Sequence, residues 1–408
     1  MNENIIPIEH WDQKIQQRLK ALVSRKSAQT VFDLLGKKHV RLVAGAVRDS
    51  LLDRPIHDID MATSLPAEEV LEIAKKADIR AIPTGLQHGT VTLICDNEPV
   101  EITTLRQDLE TDGRHAKVVF TDSWEQDALR RDFTINAFFL DADLCLYDYT
   151  HGLDALKQKK LCFIGEASQR ICEDYLRILR FFRFISQLGF SPSHEDLWAI
   201  SCHLQGLDRL SRERIGAEWQ KLILGVHSRR SLYYMKCYGV MLKTLPLVPN
   251  YQAYDNFQVL IKDEDIPFDF SIPIYAIGVL WLSSYGDSKR LQSMLKLSNQ
   301  EVKVLSACVN EKIWPALNSE NQVNWQEKVY RYGKQAVALR LIYLWAKQLL
   351  CFTQEQLIAL LQQIEKWCIP VVPFKAQDLI SQGIQPGKAL GEKLKLLEEE
   401  WIASGFEG

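Results

Sequence analysis

Residues 41–63 read RLVAGAVRDSLLDRPIHDIDMAT, and this stretch decides how the first part of the chain folds. The pattern predicts a strand over 41–43, a small-residue turn over 44–46 and a short helix over 47–52. A second predicted strand carries Asp58 and Asp60. Side chains two positions apart on a strand share one face, so these carboxylates repel each other unless a cation lies between them. Oxygen ligands of this kind suit Mg²⁺.

The turn that precedes the two carboxylates is a candidate phosphate site. Gly45 permits close approach of the backbone to a phosphate, and Arg48 can donate two parallel hydrogen bonds to it. The alternative is an ordinary strand-to-helix turn with a surface arginine, followed by a solvated strand end at Asp58 and Asp60. A phosphate turn beside two carboxylates favours nucleotide chemistry.

Bulk properties limit the classes of protein that fit. The chain has 408 residues and a net charge of −3, so a nucleic-acid partner requires local basic patches. Its nine cysteines are scattered without a CxxC pair, which argues against a zinc site and favours reduced thiols in a cytoplasmic protein. We expect neither a signal peptide nor a membrane-spanning segment.

The element pattern changes along the chain. Residues 1–36 look helical, and strands and helices then alternate to about residue 150, with strands over 90–95 and 99–105. The polar segment 106–127 is predicted to be a mobile loop. From about residue 155 onward helices dominate. The predicted fold class is therefore α+β, with a mixed-sheet head followed by an elongated all-helical arm.

Further polar residues follow the predicted strands. Glu101 is either a third metal carboxylate or a surface residue on an edge strand. Arg130, Arg131 and Asp132 precede FTINA and can meet a triphosphate and a ribose hydroxyl. Asp132 can equally cap the start of a helix, and both roles are compatible.

A predicted amphipathic helix over 173–188 carries a polar stripe. Asp174, Arg177, Arg180 and Arg183 recur every three residues in EDYLRILRFFRF. An Asp beside an Arg offers an acceptor and a donor, which match the amine and ring nitrogen of cytosine and adenine but not uracil or guanine. Arg180 and Arg183 can hold phosphates from the same helix. The alternative is a plain ion pair between Asp174 and Arg177.

Taken together, these motifs resemble the class II tRNA nucleotidyltransferases (CCA-adding enzymes) and the related bacterial poly(A) polymerases of the polymerase β-like superfamily. The matching stretches cover about 40–190 densely and resume near residue 378. In chain order they are LVAGAVRD with DIDMAT, TGLQHGTVT, EITTLR, RRDFTINA, YDYTHGLDAL, EDYLRILRFFRFISQLGF and DLISQGIQPGKALGEKLKLLEEEW.

The resemblance implies a seahorse-like shape whose parts are a nucleotidyltransferase head over 1–150, a neck over 151–207, a body over 208–315 and a tRNA-binding tail over 316–408. It implies that Asp58 and Asp60 are catalytic and bind the metal. It also implies contacts to the incoming nucleotide, which Asp174 and Arg177 would template. The implied nucleotide-binding residues are Gly45, Arg48, Arg131, Asp174, Arg177, Arg180 and Arg183.

The implied activity is addition of C, C and A to tRNA 3′ ends from CTP and ATP, with Mg²⁺ as cofactor and pyrophosphate as product. Rival interpretations are a poly(A) polymerase, an enzyme restricted to CC or A addition, and a catalytically inactive RNA-binding module. Segment 106–127 is a candidate gate for the switch from C to A. Tail lysines such as Lys388, Lys393 and Lys395 are either phosphate contacts or a solvated helix face.

One residue departs from the family pattern within the opening stretch. The family usually has Gly-Gly where this chain has Ala44-Gly45. We expect the methyl group of Ala44 to be tolerated if its φ angle is negative.

Overall fold

The computed structural model describes residues 4–8, 11–56, 58–111, 116–268, 272–310, 313–314 and 324–407. They form two compact units, Met1–Pro246 and Leu247–Gly408. This division into two units is coarser than the four predicted segments. The boundaries between those segments stay a prediction, and the predicted boundary between residues 315 and 316 lies outside the described residues.

Within the described residues the strands lie in the first unit. They are β1 (Ile5–Pro7), β2 (Val40–Val43), β3 (Ile59–Thr63), β4 (Ala81–Gly85), β5 (Thr90–Cys95), β6 (Glu98–Thr104), β7 (Arg106–Thr111), β8 (Ala116–Phe120), β9 (Phe138–Leu140), β10 (Cys145–Asp148), β11 (Lys160–Leu161) and β12 (Ser191–Pro192).

Helices of the first unit surround and follow the sheet. They are α1 (Gln13–Val23), α2 (Lys26–Leu35), α3 (Ala44–Leu51), α4 (Ala67–Lys76), α5 (Trp124–Leu129), α6 (Gly152–Lys157), α7 (Ala167–Glu173), α8 (Leu176–Leu188), α9 (His194–Cys202), α10 (Arg212–Ile223), α11 (Ser228–Cys237) and α12 (Val240–Thr244).

The described residues of the second unit are helical. Its helices are α13 (Tyr251–Leu260), α14 (Pro273–Trp281), α15 (Tyr285–Leu295), α16 (Asn299–Val309), α17 (Trp325–Tyr332), α18 (Lys334–Ala346), α19 (Gln354–Lys366), α20 (Ala376–Ser381) and α21 (Lys388–Ala403).

The main sheet has eight strands in the order β1-β10-β9-β2-β3-β6-β5-β4. Strands β3 and β6 run parallel, and the other neighbouring strands run antiparallel. The apolar residues of β2 are mostly buried, and every second residue of β5 is buried. Both patterns follow from the apolar and β-branched residues of these strands. A mixed sheet followed by helices confirms the α+β prediction.

A cluster of phenylalanines packs α8 against the head. The rings of Phe163 and Phe181 stack with centroids 5.2 Å apart, and Phe133 meets Phe184 edge to face at 5.4 Å. All four side chains are buried, so the apolar face of α8 is fixed against the sheet side of the unit. Three arginines of the same helix, Arg177, Arg180 and Arg183, line the cavity described below together with Phe184.

Two local predictions are wrong. Residues 5–7 form an edge strand, because Ile5–Pro7 pairs with β10. Within 106–127, β7 and β8 form a separate two-stranded hairpin and α5 follows it, while residues 112–115 lie outside the described residues. A hairpin ladder uses backbone groups, so it forms even where the side chains are polar.

The predicted helix over 173–188 is interrupted. α7 ends at Glu173, Asp174 is extended with φ −151° and ψ 106°, and α8 begins at Leu176. The end of α8 follows the prediction, because Gly189 adopts the left-handed conformation that closes a helix. Neither Gly nor Pro lies at the break, so a periodicity argument has no signal for it.

Aromatic rings hold the last helix of the second unit in place. Tyr330 on α17 meets Trp401 on α21 at 5.7 Å, and Phe406 beyond α21 packs against Tyr330 and Trp367 at 5.5 Å each. Over the part of the chain that the structure describes, we find no helix long and apolar enough to cross a membrane.

Candidate active site

Helix α3 begins earlier than predicted, at Ala44, so residues 44–46 are its first turn and not a separate turn. Val43 precedes the helix and supplies no side-chain cap. The first amide groups of a helix lack intrahelical partners, which makes this start a favourable seat for an anion. A Cβ atom on Gly45 would lie 3.9 Å from Nη2 of Arg48, so this glycine faces the arginine side of the site.

Ala44 does not meet the condition set for it. Its φ angle is +52°, in the left-handed region. A non-glycine residue in this conformation costs about 1–2 kcal/mol. The backbone geometry therefore fits glycine at position 44 better than the alanine that this chain carries.

Three carboxylates lie close to one another at the neighbouring strands β3 and β6. Asp60 lies within β3 and is paired in register with Glu101 of β6, and Asp58 lies just before β3. Burial, together with the nearby charges of Glu101 and Asp58, raises the pKa of Asp60 to about 6. A divalent cation between these groups would favour the charged form of Asp60.

The donor set fits Mg²⁺ in the way this ion usually binds. No group of three or more His, Cys, Asp or Glu side chains within the described ranges is arranged to hold a metal alone. Magnesium is commonly bound by one or two carboxylates with the remaining positions filled by water and substrate phosphates. The pair Asp58 and Asp60 therefore fits a metal shared with a nucleotide.

All predicted site residues, and Glu101, line one cavity of about 840 Å³ in the first unit. This volume lies in the range of small-molecule and cofactor sites. Nine cationic and six anionic side chains line it, so the cavity is positive in a chain whose net charge is −3. The cationic residues are Arg48, Arg106, Arg130, Arg131, Arg177, Arg180, Arg183, Arg214 and Lys221. The anionic residues are Asp58, Asp60, Glu101, Asp132, Glu173 and Asp174.

Asp127 holds the two arginines of the RRD motif. Its Oδ1 accepts bonds from Nε and Nη2 of Arg130 at 2.8 and 2.6 Å, and its Oδ2 accepts from Nε and Nη2 of Arg131 at 3.2 and 2.9 Å. Asp127 is 1% exposed. Burial alone would raise the pKa of Asp127, but the two guanidinium groups outweigh it and lower that pKa. Asp127 thus keeps both arginines oriented along the cavity wall.

Two further acids orient the arginines of α8. Oδ2 of Asp132 accepts from Nε of Arg180 at 2.7 Å and from its Nη2 at 2.6 Å. Oε2 of the buried Glu218 on α10 accepts from Nε of Arg183 at 2.6 Å. Asp132 also accepts from the backbone N–H of Phe133, but the 3₁₀ turn Thr134–Asn136 has no side-chain cap, so the structure shows the site role of Asp132 and not the predicted capping role.

Arg48 is buried and already engaged by protein groups. Its Nε and Nη2 both donate to Asp49 at 2.9 Å, and its Nη1 donates to Oδ1 of Asn136 at 2.6 Å. Three of its five N–H groups therefore have protein partners. A phosphate approaching Arg48 meets a guanidinium whose orientation is set in advance.

Asp174 and Arg177 lie in the same cavity but do not form a side-chain ion pair with each other. Oδ2 of Asp174 accepts from Nη2 of Arg214 at 2.8 Å, and its Oδ1 accepts from the N–H of Leu176 at the start of α8. Nη1 of Arg177 bonds to Glu173 at 2.5 Å, and its Nη2 donates to the carbonyl of Arg130 at 3.0 Å. The alternative of a plain ion pair between the two is therefore wrong.

Sequence reasoning missed the partners that orient the site. Asp127 and Glu173 each precede a bound arginine by four residues, which is a helical spacing that signals a pair. Three further residues, Arg214, Glu218 and Lys221, occupy one face of α10. Arg214 binds Asp174 and Glu218 binds Arg183, and no local sequence pattern links residues so far apart in the chain.

A mixed sheet with carboxylates on two neighbouring strands lies beside an uncapped helix start and a positive cavity. This combination suits a nucleotidyltransferase.

Comparison with known proteins narrows the class. Residues 40–162 match the Poly A polymerase head domain family. The chain is 34% identical to the mitochondrial CCA tRNA nucleotidyltransferase 1 of Mus musculus over 388 residues, 93% of this chain and 86% of that protein. Over 262 residues it is 36% identical to the CCA-adding enzyme of Staphylococcus epidermidis, 64% of this chain and 61% of that protein.

The fold agrees with these relatives. The Bacillus stearothermophilus CCA-adding enzyme, solved in complex with CTP, superposes with a TM-score of 0.70 at 24% identity, covering 93% of this chain and 94% of that one. This chain belongs to the family of CCA-adding tRNA nucleotidyltransferases. Nucleotidyltransferases of this kind generally use a divalent metal ion.

Proposed function

We propose that this protein adds C, C and A to the 3′ end of tRNA, using CTP and ATP with Mg²⁺ and releasing pyrophosphate. One observation carries the proposal. A single cavity holds the carboxylates of β3 and β6 and also the polar pair Asp174 and Arg177, with arginines between them. The first group suits nucleotidyl transfer and the second suits choice of a base.

The triphosphate end of the nucleotide would lie against the start of α3 and the arginine wall. Gly45 leaves room for a phosphate beside the uncapped first turn of α3. Arg48 and Arg131 would donate to phosphate oxygens from orientations set by Asp49 and Asp127. Because their acid partners hold these side chains, little side-chain entropy is lost when the triphosphate binds.

The 3′-hydroxyl of the tRNA would attack the α-phosphate in line, and pyrophosphate would leave. Asp58 and Asp60 would hold the metal ion, and Glu101 on the neighbouring strand adds negative charge beside them. When bound there, Mg²⁺ polarises the α-phosphate and stabilises the leaving pyrophosphate. Preorganised arginines supply further charge stabilisation along the same path.

Base choice would depend on the break between α7 and α8. The Asp174 carboxylate accepts from the exocyclic amine of cytosine or adenine, and Arg177 donates to the adjacent ring nitrogen. Uracil and guanine present a carbonyl beside an N–H, so each would leave polar groups of the site unpaired. Arg180 and Arg183 complete the pocket from α8.

Binding of tRNA by the second unit is part of the same proposal. We infer contacts by shape and backbone, as duplex RNA is usually recognised, with the tail over 316–408 taking part.

We propose separately that the protein is cytoplasmic, because its Mus musculus relative is named as mitochondrial and does not decide the location of this chain. Within the part of the chain that the structure describes, the nine cysteines form no disulfide, which suits a reducing compartment.

An incorporation assay tests the proposed function. Purified protein is incubated with a tRNA that lacks CCA and with each labelled nucleotide singly and in combination. We expect CTP to be added twice, ATP to be added once after CC, and UTP and GTP to be rejected. Long A tails without CTP incorporation would identify a poly(A) polymerase, and addition of CTP or ATP alone would identify a restricted enzyme. Binding of tRNA with no incorporation would identify an inactive RNA-binding module.

A further inference from the structure

The break that places Asp174 in the cavity is held by Arg214, which lines the cavity, and also by contacts of Tyr175 outside it. Asp174 is extended between two helices, and Tyr175 follows it with helical angles of φ −61° and ψ −17°. Neither residue is a glycine or proline, so the local sequence does not require a break here. Tertiary contacts of Tyr175 supply the reason.

The ring of Tyr175 lies directly on the backbone of Gly206, in the 3₁₀ turn Leu204–Arg209. A Cβ atom at position 206 would come within 1.9 Å of Cδ1 and Cε1 of the ring. The φ angle of Gly206 is not in the left-handed region, so this position needs glycine for space and not for conformation. We call this arrangement the Tyr175 slot.

Other groups close the Tyr175 slot. The Arg209 guanidinium lies 5.6 Å from the centre of the ring. Sγ of Cys172 lies 3.5 Å from Nδ1 of His203. Burial, together with the charge and hydrogen bond of the Cys172 thiol, raises the pKa of the Tyr175 hydroxyl. Tyr175 is therefore held from α7, through Cys172, and from the 3₁₀ turn, through Gly206 and Arg209.

We propose that the Tyr175 slot is a positioning device for the base-reading carboxylate of Asp174, and that Tyr175 and Gly206 thereby determine nucleotide specificity. Neither residue is among the described residues that line the cavity. The inference rests on the proposed function, because it assigns a cause to the selectivity of the same site.

The geometry predicts how strongly the slot matters. With alanine at position 206, the ring must move by about 1.5 Å to restore ordinary van der Waals contact. Asp174 is the preceding residue and shares the break with Tyr175, so we expect a shift of the Tyr175 backbone to displace its carboxylate. A displacement of about 1 Å at a reacting or reading group can cost about 100-fold in rate or discrimination.

The test measures the ratio of kcat/KM for CTP to that for UTP on a tRNA lacking CCA. Wild type, Gly206→Ala, Tyr175→Ala, the double variant and Tyr175→Phe are compared, with melting temperatures recorded for each. We expect the ratio to fall about 10- to 100-fold in both single alanine variants. Tyr175→Phe keeps the ring in the slot and should keep the wild-type ratio.

The double variant separates a shared slot from two unrelated defects. If Tyr175 and Gly206 act through one contact, Gly206→Ala adds nothing once the ring is gone, and the double variant matches Tyr175→Ala. Additive losses, or equal losses of rate for all nucleotides with an unchanged ratio, would overturn the inference. If Gly206→Ala does not fold, the comparison of Tyr175→Ala with Tyr175→Phe still decides, because equal ratios there contradict the slot.

The matched control is Tyr233→Ala, which removes a tyrosine that is 58% exposed on α11. This variant should keep the wild-type ratio. If wild type itself shows no preference for CTP over UTP, the proposed function fails. If wild type discriminates and Tyr175→Ala discriminates equally well, only the inference about the slot fails.

Discussion

Replacing Asp127 by asparagine removes the charge that holds two buried arginines. Asp127 is 1% exposed, and its partners Arg130 and Arg131 have side chains only 14% and 15% exposed. Asparagine keeps one acceptor oxygen but presents an NH₂ group to one guanidinium. Removing one partner of a buried pair costs about 3–5 kcal/mol, and the retained acceptor places Asp127→Asn near the lower end, about 3 kcal/mol.

The loss has a predicted pH dependence. The pKa of Asp127 is lowered in the folded protein, so its carboxylate stabilises the fold above the unfolded pKa of about 3.9. This contribution is lost as the pH falls through the folded pKa. The difference between wild type and Asp127→Asn should therefore be constant from about pH 5 to 8 and shrink below about pH 4.

Thermal and urea unfolding of the full chain measure this effect. For a unit the size of residues 1–246, about 3 kcal/mol corresponds to a fall of about 6–12 °C in melting temperature. The KM for CTP should rise as well, because Arg131 loses its orientation. The exposed Asp122 gives the control, since Asp122→Asn should change stability by less than about 0.5 kcal/mol. Equal melting temperatures for Asp127→Asn and Asp122→Asn would refute the reasoning.

Three further substitutions test the site. Ala44→Gly relieves the positive φ, so it should raise the free energy of unfolding by between zero and about 1 kcal/mol. The control Ala46→Gly lies in the same helix and should lower the free energy of unfolding by about 1 kcal/mol or more. Equal losses for both variants in urea unfolding would count against strain at position 44. Gly45→Ala meets only Arg48 at 3.9 Å, so melting should be unchanged while the KM for CTP rises about 10- to 100-fold, and an unchanged KM would remove Gly45 from the phosphate seat. Arg177→Ala should admit UTP and GTP, and retained exclusion of both in incorporation assays would contradict the base-edge account.

The sequence predicted the site where short-range geometry determines it. Asp58 and Asp60 lie two positions apart, just before and within β3, and the parallel register of β3 with β6 adds Glu101. The end of α8 followed from Gly189. These features depend on residues a few positions apart, or on strands rich in β-branched residues.

Features that depend on distant residues could not be predicted. The break at Asp174 exists because Tyr175 packs on Gly206 and because Arg214 binds the carboxylate, and neither contact leaves a local signal. The hairpin of β7 and β8 was missed because its polar residues resemble a loop, although Val119 and Phe120 are typical of a strand.

Ala44 illustrates a different limit. The substitution was visible in the sequence, but its consequence depends on a backbone angle that composition and periodicity do not determine. Only the structure places the residue in the left-handed region.

The central claim is that the carboxylates of β3 perform nucleotidyl transfer in the cavity that also reads the base. Single-turnover addition of CTP to a tRNA lacking CCA, by Asp60→Ala in the presence of Mg²⁺, tests this claim most directly. We predict that transfer is abolished while the affinity for tRNA, measured on the same preparation, stays within about twofold of wild type. Transfer at the wild-type rate would show that the metal site lies elsewhere and would contradict the account.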